Sequence, residues 1–268
     1  MRAPLRLERP RAGVVRVVLA RPELRNAFDD GLIAEVTAAF EALASDPSAR
    51  VVVLAGDGKA FCAGADLGWM KSMVTWNEEE NRRDAEALGR MFLSIDSCPK
   101  PVVGRVHGAA LGGGAGLVAV CDVAVCAEGT LLGTTEVRLG IVPAVISPFV
   151  VRKVGESHAR RWFLTGDRFG AEEALRAGLV HAVVPAAALD AEVDRVVDAL
   201  LLGGPEALAV SKGLAKSMGR VPLDAALAEA AGVIAARRVS SEGQEGMEAF
   251  LGKRPPAWTR EPERGSGS

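Results

Sequence analysis

Three short stretches carry residue types whose spacing could do chemistry. The first is Val106-His107-Gly108-Ala109-Ala110-Leu111-Gly112-Gly113-Gly114-Ala115-Gly116-Leu117, which follows an apolar run at 101–106. A run of three glycines costs backbone entropy, so something there needs bare backbone rather than a side chain. Two uses fit: close packing, or a free N–H at a helix N-terminus aimed at an anion or a developing oxyanion. The second stretch is Lys59-Ala60-Phe61-Cys62-Ala63-Gly64-Ala65-Asp66-Leu67, another small-residue loop directly after an apolar run. The third centres on Glu136, a lone carboxyl among mostly apolar residues. Burial would raise its pKa and suit it to proton transfer, whereas the window by itself favours exposure on a strand edge.

These stretches need elements to hold them. Residues 14–20 are β-branched and apolar, a strand by propensity. Asp29 can cap a helix carrying Leu32, Ile33, Val36, Ala39, Phe40 and Leu43 on one face. Residues 50–55 show no alternation, so that strand is expected to be buried on both sides. A polar start around 71–77 leads into an amphipathic helix over 76–95, with Ala85, Leu88, Met91, Phe92 and Ile95 on its apolar side. Strands follow at 99–106 and 121–127, then successive helices at 147–154 and 156–164. A further helix at 171–177 ends at Gly178 in a C′ role. After a short extended piece at 180–185 the pattern is helical only, at 193–202, 207–218, 223–238 and 244–251. The chain is therefore expected to divide into an α/β core over 1–185, a helical region over 186–260 and a disordered Gly-Ser tail over 261–268. No sequence repeat stands out at a fixed period.

Composition narrows the function classes. The 268 residues are 49% hydrophobic and carry a formal net charge of -2, which suggests neither a nucleic-acid partner nor an anionic membrane surface. No window is long and apolar enough for a membrane helix, and the first ten residues, with three arginines and no apolar run, do not read as a signal peptide. Cys62, Cys98, Cys121 and Cys126 are too sparse and irregular for a disulfide framework or a zinc site, so no metal is expected. A soluble cytoplasmic protein fits. The absence of tyrosine removes any Tyr general acid. His107, His158 and His181 are scattered, and His107 is expected to be a structural hydrogen-bonder.

Four segments together resemble the enoyl-CoA hydratase/isomerase (crotonase) superfamily: Arg25-Asn26-Ala27-Phe28, Ala60 to Leu67, Gly108 to Gly114, and Thr135-Glu136-Val137-Arg138-Leu139-Gly140-Ile141-Val142-Pro143. Each is a weak signal alone; the four in this order, each at a strand-to-loop junction, are a strong one. The resemblance implies a crotonase-like spiral of ββα units with C-terminal helices that pack in a homotrimer, and commonly two trimers. It places the two oxyanion-hole donors on the backbone N–H groups of Ala65 and Gly113. Arg25, Ala27, Ala63, Asp66 and Leu67 would line the coenzyme A site, and Phe250 and Lys253 would reach the coenzyme A of a neighbouring subunit. Coenzyme A is then part of the substrate, and no separate cofactor is expected.

The implied chemistry follows from those groups. A thioester polarised by two N–H donors can carry negative charge on its carbonyl oxygen, at about 3 kcal/mol per donor, while a carboxyl moves protons at Cα and Cβ. Familiar hydratases similar to this chain have a second Glu three residues after the oxyanion-hole glycine, where this chain has Gly116; the family's other carboxyl falls on Glu136. Three readings follow: a hydratase using Glu136 alone, a double-bond isomerase using Glu136 alone, or a catalytically weak subunit that binds a CoA ester or a protein. The motifs also look like a bacterial subgroup of methylglutaconyl-CoA and carboxygeranoyl-CoA hydratases. For such an acyl carboxylate, Lys71, Arg82 and Arg138 are the candidate partners.

Overall fold

The computed structural model describes residues 3–259. Its elements, in chain order, are β1 (Leu5–Arg11), β2 (Gly13–Leu19), α1 (Asp30–Ser45), β3 (Ala49–Gly56), α2 (Leu67–Met73), α3 (Glu78–Ser97), β4 (Val102–Val106), β5 (Ala109–Leu111), α4 (Gly113–Val120), β6 (Val123–Ala127), β7 (Leu131–Gly133), α5 (Ser147–Thr165), β8 (Arg168–Gly170), α6 (Ala171–Arg176), β9 (Ala182–Val184), α7 (Leu189–Leu201), α8 (Pro205–Ser217), α9 (Leu223–Val239) and α10 (Ser241–Leu251). The expected tail at 261–268 lies outside the described residues.

The strands form two sheets. The larger runs β1-β2-β3-β4-β6-β9, and only its β1–β2 pair is antiparallel. The smaller runs β5-β7-β8, with β5 and β7 parallel. The architecture repeats: β4, β5 and α4 form one ββα turn, and β6, β7 and α5 form the next, stacked through the parallel β4–β6 and β5–β7 pairs. Single-residue bridges, Phe28 to Ala65 and Cys62 to Ala110, continue the inner layer through the earlier turns. The spiral is thus a repeat of geometry without a repeat of sequence.

Strand β3 is buried on both faces, as its unbroken apolar run requires. Val52 and Leu54 face a core built with α1, α3, α4 and α5, while Val51 and Val53 face Leu189, Val193 and Val197 of α7. Arg50 fixes the far end, its guanidinium donating to the carbonyls of Leu201, Gly203 and Trp258. That ties the C-terminus of α7 and the end of the described chain to β3. The four cysteines are buried and free, and burial pushes the Cys62 and Cys121 thiols up to about 12, so they pack as small hydrophobes.

Four local expectations need correction. Strand β1 was not expected; its alternating charged residues leave it largely exposed on the sheet edge, where no apolar pattern is needed. The polar stretch at 71–77 is not the start of a single helix. It contains the end of α2, capped by Asp66, and the start of α3, where Asn77 and Glu80 form a reciprocal capping box. The strands β5, β7 and β8 have only three residues each, too short for periodicity to reveal. Glu136 is not on a strand edge but opens a 3-10 turn over Glu136–Leu139. Two other expectations hold: the helices expected at 147–154 and 156–164 meet at Gly155, whose φ of 75° breaks the helical backbone of α5, and Gly178 has the left-handed conformation of a C′ residue.

Candidate functional site

The site is assembled by backbone hydrogen bonds between the segments singled out in the sequence. Phe28 donates to the Gly64 carbonyl at 2.7 Å, and Asp66 donates to Phe28 at 2.7 Å. Ala63 donates to Arg25 at 3.0 Å. Cys62 and Leu111 join the second loop to the glycine stretch, and Gly112 donates to Gly133 at 2.8 Å. Each loop is therefore laced to the next turn of the spiral.

Asn26 is the pin beneath this lacing, and sequence reasoning gave it no role. It is fully buried with a φ of 56°. Its amide donates to the carbonyls of Asp57, Ala60 and Phe61, and its Oδ1 accepts from the Arg21 N–H. Asn tolerates the left-handed region better than most residues and supplies both donors and an acceptor, which explains its type here. The visible signal was a polar residue between Arg25 and Ala27, next to a turn.

The glycines meet different demands. At Gly113 an added Cβ would lie 2.7 Å from the Phe28 ring, and at Gly114 it would lie 2.2 Å from the Cys62 carbonyl oxygen. Gly112 sits at φ 52° as the N-cap of α4. Packing and exposed backbone, the two uses left open by the sequence, therefore coexist in one turn. Gly113 is the first residue of α4, so its N–H has no intrahelical acceptor. Among the described residues neither the Gly113 N–H nor the Ala65 N–H donates to a protein acceptor.

Both residues line one cleft of about 350 Å³, with Phe28, Ala63, Leu67 and Glu136. That is within the usual range for a small-molecule site. The remaining walls are mostly apolar: Trp69, Met70, Met73, Leu88, Leu139 and residues 141–146. Glu136 lies over the glycine turn, its Oε1 3.3 Å from where a Cβ on Gly112 would stand. Its Oε2 is buried without a partner. Burial pushes its carboxyl above the ordinary value, partly offset by its own backbone N–H. A half-buried carboxyl with one unpartnered oxygen, in one cleft with two free N–H groups, can exchange protons with a molecule whose oxygen those groups hold.

The position expected to hold a second acid is packed shut. A Cβ on Gly116 would lie 2.4 Å from Ile146 Cγ2 and 3.0 Å from the Phe92 ring. Of the other sequence candidates, Asp66 is absorbed by structure: Oδ1 accepts from the Gly68 and Trp69 N–H groups, and Oδ2 pairs with Arg21. Arg25 and Ala27 sit beside the cleft in the first loop, Arg25 with a φ of 53°. Phe250 is 83% exposed near the end of α10, and Lys253 follows it with a φ of 51°; neither lines the cleft of its own chain. Lys71, Arg82 and Arg138 do not line it either. Arg82 pairs with Glu79 and Glu86, and Arg138 with Asp167. His107 is structural, its Nε2 3.0 Å from the Gly58 carbonyl. Among the described residues no group of His, Cys, Asp and Glu side chains could hold a metal ion, and no helix is long and apolar enough to cross a membrane.

A family model described as Enoyl-CoA hydratase/isomerase matches residues 9–261. The chain belongs to the enoyl-CoA hydratase/isomerase family. Among solved structures, Pseudomonas aeruginosa AtuE is similar at 40% identity with a TM-score of 0.92, covering 96% of this chain and 100% of that one. An enoyl-CoA hydratase from Shewanella pealeana is 39% identical with a TM-score of 0.91, covering 95% and 96%. A protein of Syntrophomonas wolfei named crotonyl-CoA hydratase is 34% identical over 237 residues, 87% of this chain and 90% of its own. The chain is thus an enzyme of the hydratase/isomerase family with the crotonase fold, and its acid-bearing cleft lies where the spiral's loops and helix starts converge.

Proposed function

We propose that the chain hydrates the α,β double bond of an acyl-CoA thioester, with Glu136 as its one proton-transferring side chain. The observation that carries this is the Glu136 carboxyl, its Oε2 buried without a partner, in the same cleft as the free N–H groups of Ala65 and Gly113. In this reading the thioester oxygen rests between the two N–H groups. Ionised Glu136 takes a proton from water as the water oxygen bonds to Cβ. Negative charge collects on the thioester oxygen as an enolate, and Glu136 returns the proton to Cα. Burial strengthens Glu136 as a base because it disfavours the charged form that starts the cycle. The two N–H groups cost no reorganisation, since the fold already holds them.

Coenzyme A enters as part of the substrate. Arg25, Ala27, Ala63, Asp66 and Leu67 flank its path in the first two loops. Phe250 and Lys253 serve the site of a neighbouring subunit in a trimer or dimer of trimers. Exposed Leu223, Leu227, Val239, Phe250 and Leu251 on and beside α9 and α10 support such an assembly.

A double-bond isomerase is the second reading, favoured by the single acid at the glycine turn: one Glu can carry a proton between Cα and Cγ. A pure binding subunit has no evident use for a carboxyl oxygen buried without a partner. A panel of 2-enoyl-CoA and 3-enoyl-CoA esters, followed by absorbance of the conjugated thioester, separates the three. Hydration of 2-enoyl esters supports the proposal. Conversion of 3-enoyl to 2-enoyl esters without hydration replaces it with isomerisation, and binding of every ester without turnover rules out both.

A further inference from the structure

The cleft contains a polar feature that hydration does not use. Asp84 of α3 is half-buried and Trp69 of α2 is 8% exposed, and both line the cleft among apolar side chains. The buried Trp69 Nε1 makes no well-formed hydrogen bond among the described residues. It lies near enough to Asp84 to favour the ionised carboxylate, whereas burial, the larger effect, and the charge of Asp30 favour the protonated acid. The other charged groups around Asp84 are Glu41 of α1 and Arg90 of α3, in the groove where those helices meet, and Glu136 in the cleft itself. A half-buried carboxyl and an indole N–H that lacks a well-formed hydrogen bond thus come from two helices to line one acyl cleft. Leaving such groups unpaired in an apolar site is unfavourable.

We propose that Asp84 and Trp69 form an oxygen-reading subsite, selecting acyl chains that carry a hydroxyl or carboxyl beyond the double bond. This rests on the enoyl-CoA reading of the cleft. A hydroxyl would donate to the Asp84 carboxylate and accept from Trp69 Nε1. A carboxylate would accept from Trp69 Nε1 and from the proton of the acid form of Asp84. The cations that the sequence offers for a carboxylate, Lys71, Arg82 and Arg138, stand outside the cleft. A site with polar groups built for an oxygen discriminates against the chain that lacks it, because binding that chain leaves those groups unpaired.

The test compares kcat/KM for three six-carbon esters: 2-hexenoyl-CoA, its 6-hydroxy derivative and 2,3-dehydroadipyl-CoA. The enzymes are the wild type, Asp84→Leu and Trp69→Phe. The wild type should prefer at least one oxygen-bearing ester by about tenfold or more. Both variants should lose most of that preference while melting cooperatively. Should Asp84→Leu fail to fold, Trp69→Phe alone decides, since it removes the N–H and keeps the ring. Rising pH distinguishes the two oxygens: preference for the carboxylated ester falls as Asp84 loses its proton, and preference for the hydroxylated ester does not. Equal treatment of the three esters by the wild type, or undiminished preference in a folded variant, overturns the subsite and leaves the hydratase reading standing. Failure to hydrate any ester overturns that reading instead.

Discussion

Substitution at Gly116 tests whether this chain has lost a second acid or has filled its place. A methyl added there would stand 2.4 Å from Ile146 Cγ2 and 3.0 Å from the Phe92 ring. Carbon atoms prefer about 3.5–4.0 Å, so the overlap with Ile146 exceeds about 1 Å. Ile146 is 3% exposed and Phe92 is fully buried, so neither can swing into solvent. Overpacking of this kind costs about 1–3 kcal/mol, and replacing a helical glycine by alanine returns about 1 kcal/mol. Gly116→Ala should therefore lose up to about 2 kcal/mol, a fall in Tm of up to about 6 °C for a chain of this size. Gly116→Glu adds a longer side chain and a buried charge and should fall further, with no gain in hydration of straight-chain esters. Adding Ile146→Ala should make the Gly116→Ala cost smaller than in the wild-type background, a non-additive pair. Thermal unfolding and hydration of crotonyl-CoA measure both effects. A Gly116→Glu variant that melts with the wild type and hydrates crotonyl-CoA faster would refute the packing argument.

Three further outcomes follow from particular residues. Asn26→Ala removes the donor for three loop carbonyls and leaves a non-glycine residue in the left-handed region, so it should lose about 3–5 kcal/mol in denaturant unfolding. Asn26→Gly should be milder because it relieves the φ but not the hydrogen bonds. Glu136→Gln should raise Tm at neutral pH. The folded-state pKa of Glu136 lies above its ordinary value of 4.5, so its contribution to stability is present at low pH and lost as pH rises through the folded value. The gain from Gln should accordingly shrink as the pH is lowered through the folded value and be gone below 4.5, and a pH series of melting curves shows the sign. Arg50→Ala should loosen the segment around Leu201, Gly203 and Trp258, seen as faster amide hydrogen exchange there with β3 still protected.

Much of this architecture was legible from residue type alone. The double-sided burial of β3 follows from Val51-Val52-Val53-Leu54, the cap of α1 from Asp29, and the break at 155 from Gly155. The glycine stretch, the Ala65 loop and Glu136 were each visible as candidates, and their meeting in one cleft was implied by family resemblance rather than by spacing. What could not be read depends on contacts distant in sequence. The hydrogen bonds of Asn26 reach 31 to 35 residues away, and no local pattern announces them. The closure of the Gly116 position depends on Ile146, 30 residues on, and on Phe92, 24 residues back. Asp84 looked like one more charge on an amphipathic helix, because its position at the cleft is set by how α3 packs beside α2 and the 141–146 segment. The three-residue inner strands carry too few side chains for any period to register.

The central claim is that one carboxyl, Glu136, moves the protons. Its most direct test is the hydration rate of a saturating 2-enoyl-CoA ester by Glu136→Gln, with folding checked by cooperative melting. The amide keeps the shape of the side chain and removes its capacity to take and return a proton. The account predicts a fall in kcat of about 10²–10⁴ with the ester still bound. A folded Glu136→Gln enzyme that hydrates the ester at the wild-type rate would contradict it.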